Sequence, residues 1–162
     1  MKRLASSLIL LVACLAAPDA ILAADKNARL VELDRFWSEI ARTVQAGEFA
    51  AYGSSYHGDA VVVTLKDSVP IAQALAAWQA GFVETKAGKM KADVHFKFSK
   101  RIGDSTTGLE TGIFYYSSTD ASGKQRESYV HFEALLVKKG SWKIIMENQK
   151  NAATKAEWDS IE

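Results

Sequence analysis

His131 and Glu133 stand two residues apart in the run YVHFEALLV (129–137), which is rich in β-branched and aromatic side chains. In a strand that spacing turns both side chains to one face. A carboxylate beside an imidazole is a proton-transfer pair, so these two are the candidate catalytic residues. The same stripe continues through Glu127 and Tyr129, which is also the pattern of a polar cross-strand or interface patch. Both readings stay open. The remaining histidines, His57 and His95, form no HExxH or other compact ligand motif with His131, and no metal site is expected. There is no phosphate-binding loop, dinucleotide glycine fingerprint or serine nucleophile motif, so no cofactor is expected either.

The pair lies in a long hairpin, Tyr129 to Asn148, with Gly140 at a turn that needs positive φ. Strict alternation puts Trp142, Ile144, Met146 and Asn148 on one face of the second arm. Lys143, Ile145, Glu147 and Gln149 take the other. Both arms carry apolar groups on both faces, which predicts helices on one side and a second copy on the other, a homodimer.

Upstream, Leu30, Leu33, Trp37, Ile40 and Val44 step by three and four, an amphipathic helix from Asp25 to Gly47 widened by Val31, Phe36 and Ala41. Asp25 or Asn27 is placed to cap it and Gly47 to end it. A short helix over 48–56 and a strand over 60–65 follow. Ser68 is positioned as N-cap of a third helix, with Ile71, Leu75, Trp78 and Phe82 on its apolar face. From Lys91 onward the period is two: Val94, Phe96 and Phe98 in one strand, then Thr107 to Ser118, then the hairpin. Residues 151–162 read as a polar tail, frayed or weakly helical. Helices first and antiparallel strands last make the chain α+β, with a bent sheet folded around the long helix.

Residues 1–24 have the anatomy of a cleavable secretory leader: Lys2 and Arg3, an apolar stretch, then ILAAD. The protein is therefore expected to be periplasmic or secreted, with residues 25–162 as its single domain. Leu11-Val12-Ala13-Cys14 offers a competing lipoprotein signal, anchored at Cys14. The leader takes Lys2, Arg3 and Asp19 with it, so 20 basic and 19 acidic residues become 18 of each. A near-neutral chain argues against a nucleic-acid partner, and no segment of the mature chain is apolar enough to be an integral membrane span. Cys14 is the sole cysteine, so the mature domain has no disulfide.

This order of elements, with TVQAGEFAAYGSSYHGDAVVVT early and LLVKKGSWKIIMENQ late, resembles the nuclear transport factor 2-like superfamily, and within it the SnoaL-like and ketosteroid-isomerase-like branch. Gly47-Glu48 and Tyr56-His57-Gly58-Asp59-Ala60 carry the early resemblance, and Gly140 followed by Trp142-Lys143-Ile144 the late one. The resemblance implies a cone-shaped apolar pocket between sheet and helices. It also implies a base carboxylate five residues after Asp59, where this chain has Thr64. Some relatives carry a histidine six residues after the tryptophan, where this chain has Asn148. Asp59 itself is expected to bond nearby backbone amides.

Trp37 and Trp78 are candidate ligand-binding residues on apolar helical stripes, where core packing is the alternative role. Tyr52, Tyr56, Tyr115 and Asn148 are the candidate polar points of the cavity. The leading expectation is a domain that binds a small apolar or amphipathic molecule. A cofactor-free acid–base isomerase, cyclase or dehydratase using His131 and Glu133, and a dimerising structural module, are the alternatives.

Overall fold

A computed structural model describes residues 18–162 of the chain. The greater part of the expected leader, with Cys14, lies outside the described residues. Helix α1 (Pro18–Ala46) is followed by α2 (Phe49–Gly53), β1 (Tyr56–Thr64), β2 (Ser68–Pro70) and α3 (Ile71–Lys86). Four long strands then run in meander, β3 (Met90–Gly103), β4 (Thr107–Asp120), β5 (Gln125–Lys139) and β6 (Ser141–Ala152), and α4 (Lys155–Ser160) ends the chain. No described helix is long and apolar enough to cross a membrane.

The stripe Leu33, Trp37, Ile40 and Val44 of α1 is buried against the sheet, as its spacing requires. Val31 is not part of it and lies 49% exposed. The described helix already runs through residues 18–24, so Asp25 and Asn27 lie inside it and do not cap it. Gly47, at φ 66°, ends it as expected; a Cβ there would lie 2.4 Å from the Lys86 backbone nitrogen. That close corner brings α2 against α3. Ser68 is not a helix cap: its segment pairs antiparallel with β1, Ser68 opposite Val63, and Pro70 takes the N-cap position.

The strands form one six-stranded sheet in the order β2-β1-β6-β5-β4-β3. All neighbours are antiparallel except β1 and β6, which are parallel. The concave face wraps α1. Phe132, Ala134 and Leu136 of β5 point into it, each essentially unexposed. On β6, Trp142 lies opposite Lys138 and Ile144 opposite Leu136, so both are concave as well. Beyond Ile144 the alternation breaks. Leu135 pairs with Met146, which leaves Ile145 as the extra residue of a β-bulge. From there Glu147 lies opposite Ala134 and Gln149 opposite Phe132, on the concave face, while Asn148 lies opposite Glu133 on the convex one.

The convex face is partly covered by the chain itself. The expected polar tail is a well-capped helix: the Thr154 hydroxyl accepts from the Glu157 backbone N–H, and the Glu157 carboxylate accepts from the Thr154 backbone N–H. Trp158 packs on Tyr115 and Tyr129, with ring centroids 6.1 and 5.9 Å away. The Lys97 ammonium donates to the carbonyls of Trp158 and Ile161 at the helix C-terminus, at 3.2 and 2.5 Å. Helix α4 thus occupies part of the face on which a second copy is expected. Leu135, 38% exposed, is among the apolar side chains left outside it.

Candidate functional site

The concave face is not filled by α1. Between the sheet and the three helices lies a cavity of about 440 Å³. Trp37 and Ile40 line it from α1, and Phe96, Phe114 and Phe132 belong to its sheet wall. Helix α3 lies over it as a lid edge, contributing Trp78, Gly81 and Phe82. Tyr52 of α2 packs on Phe82 with ring centroids 4.8 Å apart and meets Trp78 edge-on at 6.1 Å. These rings interlock because α2 is held against α3 at Gly47.

One wall of this aromatic chamber is polar. The Tyr56 hydroxyl donates to Glu147 Oε2 at 2.5 Å. Gln149 Nε2 donates to the other carboxylate oxygen, Oε1, at 2.7 Å. The Tyr52 and Tyr56 hydroxyls are 3.1 Å apart. Tyr56 has one proton and spends it on Glu147, so Tyr52 is the donor between the two phenols. Burial pushes both phenols up from their ordinary pKa, and the Glu147 charge pushes them further the same way. Both therefore remain neutral hydroxyls at physiological pH. Tyr116, Ser118 and the exposed Arg126 also line the cavity.

Four of the expected ligand-binding residues, Trp37, Tyr52, Tyr56 and Trp78, line this cavity together. Two do not. Tyr115 points out of the convex face, stacked on Tyr129 at 4.7 Å. Asn148 is turned outward by the bulge at Ile145. The residues missed by strict alternation are Glu147 and Gln149, which take the inward places. Their only visible trace is a carboxylate and an amide beside the apolar run WKIIM.

His131 and Glu133 share a face, as their spacing requires, but it is the convex one. The two are engaged apart: His131 Nε2 lies 3.2 Å from Glu157 Oε1 of α4, and Glu133 Oε1 lies 2.7 Å from Lys150 Nζ. Neither lines the aromatic cavity. His95 is also on the convex side, stacked on Tyr115 at 6.2 Å, and His57 lies in β1, so the three histidines do not converge. The Asp59 side chain is 90% exposed and accepts from no backbone amide among the described residues; its carboxylate lies 3.6 Å from His57 Nδ1, to which the Asp59 backbone N–H donates at 3.2 Å. Thr64, where the resemblance places a base, accepts from the backbone N–H groups of Lys66 and Asp67 and holds the β1–β2 turn.

No family model and no curated protein matches this sequence. Its fold does have solved relatives. A conserved protein from Planctomyces limnophilus superposes with a TM-score of 0.66 at 14% identity, over 78% of this chain and 99% of that one. A nuclear transport factor 2-like protein with a cystatin-like fold from Novosphingobium aromaticivorans gives 0.65 at 9% identity, over 91% and 97%. A ketosteroid isomerase-like protein from Erwinia carotovora atroseptica gives 0.59 at 13% identity, over 79% and 98%. At such identities the likeness speaks for architecture, and the architecture is plain: this chain has the nuclear transport factor 2-like, cystatin-like fold.

Proposed function

We propose that the protein binds a small, mainly apolar molecule in the cone, with the polar end of that molecule against Tyr52, Tyr56, Glu147 and Gln149. The observation that carries this reading is the cavity itself: about 440 Å³, walled by aromatic rings and furnished with one compact polar cluster. Apolar walls supply affinity and a few convergent polar groups supply orientation, the usual division of labour in a ligand pocket.

A neutral fluorescent probe, N-phenyl-1-naphthylamine, tests it. Saturable binding with enhanced emission is expected for the wild-type protein. Gly81 lines the cavity from a helix, where an added Cβ would meet only the Met90 methyl at 3.4 Å. Gly81→Trp therefore fills the chamber with little backbone strain, and probe affinity should fall at least about tenfold, roughly the loss of one buried aromatic contact. Circular dichroism should be unchanged. A probe that binds Gly81→Trp as it binds the wild type would show that the cavity is not the binding site.

The same reading puts the protein in the periplasm or outside the cell, on the strength of the leader-like residues 1–24. N-terminal sequencing after expression with the full leader should find Ala24 or Asp25 first. An intact Met1 or a lipid-modified Cys14 would contradict it.

A further inference from the structure

The polar cluster has a direction, and it says what the bound molecule must bring. The Tyr52 proton points to Tyr56, the Tyr56 proton to Glu147, and one Gln149 amide proton to the same carboxylate. Both phenol protons are thereby spent inside the cluster. What the phenols and the carboxylate offer the cavity is oxygen lone pairs on Tyr52 and Glu147. The carboxylate has hydrogen-bond donors but no ion-pair partner among the described residues.

We infer that the ligand presents a cationic amine to Glu147, with its apolar body along the aromatic walls. This rests on the binding reading above. An ammonium supplies up to three donors and the missing charge at once, and its hydrogen bonds to a carboxylate are the stronger, charge-assisted kind. The rings of Trp78, Phe82 and Tyr52 line the same cavity, and an aromatic face turned to a cation adds a favourable quadrupole. The other charged side chain lining the cavity, Arg126, stands opposite Ser118 at the far end of β5. Arg126 lies eight residues along β5 from Ala134, the partner of Glu147, and forms no ion pair with that carboxylate. A carboxylate in the same place would meet the charge of Glu147 and the lone pairs of Tyr52, with only the second Gln149 amide proton to donate to it.

Isothermal titration of the full chain at neutral pH with n-octylamine, 1-octanol and octanoate separates the possibilities, since the three share one apolar body. Octylamine should bind about tenfold or more tighter than octanol, about 1.4 kcal/mol, with octanoate weakest. In Glu147→Gln the octylamine affinity should drop to that of octanol, while octanol binding stays within a few-fold. Octanoate equal to or tighter than octylamine in the wild-type protein overturns the inference, and that comparison needs no variant to fold. An amine preference that survives Glu147→Gln overturns it as well. Octanol binding without an amine preference leaves the cavity reading intact and removes only the cation. If none of the three binds, and N-phenyl-1-naphthylamine does not bind either, the cavity reading falls and takes this inference with it.

Discussion

Arg101→Ala should destabilise the protein by about 3–5 kcal/mol at neutral pH, the usual result of removing one partner of a buried ion pair. Glu110 projects from β4 into the concave side and is fully buried, with Arg101 Nε donating to its Oε2 at 2.6 Å. Its other oxygen, Oε1, has no hydrogen-bond partner at normal distance among the described residues; the buried Arg29 and the Trp37 indole are the further groups that favour its charge. Arg101 also pairs with Asp34 at 2.5 Å, but Asp34 is exposed and contributes little. Without Arg101, a carboxylate must sit in the core with its nearest cation gone and only Arg29 to offset its charge, or take up a proton.

That alternative makes the effect pH-dependent. Burial raises the Glu110 carboxyl above its ordinary 4.5, and Arg101 and Arg29 pull it back only in part. An acid raised in the folded state gives stability that is fully present below the ordinary carboxyl range and is lost as pH rises through the folded value. Deleting Arg101 widens that window upward. Urea unfolding at pH 7 and at pH 4.5 should therefore show a larger deficit at pH 7, and adding Glu110→Gln to Arg101→Ala should recover part of it. A deficit under about 1 kcal/mol, or one that is the same at both pH values, would mean that the pair is not the buried, one-sided contact described above.

Phe132→Ala should cost a similar amount, about 3–5 kcal/mol, for a different reason. Phe132 is 1% exposed and lies at the centre of the aromatic wall. Its ring centroid is 5.7–6.0 Å from those of Trp37, Phe96, Phe98 and Phe114. Alanine removes the ring from between the α1 stripe and the sheet, where rigid strands on both sides limit collapse. Because Phe132 also lines the cavity, the truncation should enlarge it. A lowered urea midpoint with an unchanged slope is the expected signature, since the surface exposed on unfolding is hardly altered. A loss below about 1.5 kcal/mol would show that the aromatic wall relaxes to fill the space.

Much of the architecture was legible in the residues, because local periodicity reports which face of an element is apolar. The 3–4 stepping of Leu33, Trp37, Ile40 and Val44, the period-two strands from Lys91 onward, and the glycines Gly47 and Gly140, both at positive φ, each specify local geometry by their own chemistry. The α+β order followed from these, whereas the cavity that gathers Trp37, Tyr52, Tyr56 and Trp78 was expected only through the family resemblance. What only the tertiary structure decided was which face each polar side chain shows, and the reasons are non-local. A single extra residue at Ile145 exchanges the two faces of β6, and it arises in the pairing with β5, which no count along β6 alone reveals. That bulge brings Glu147 and Gln149 into the cone and turns Asn148 out. In the same way, the spacing of His131 and Glu133 established that they share a face, but not which one. The sheet curves around α1, and the capped helix α4, too short to be read as an amphipathic helix from periodicity, then meets His131 on the opposite side.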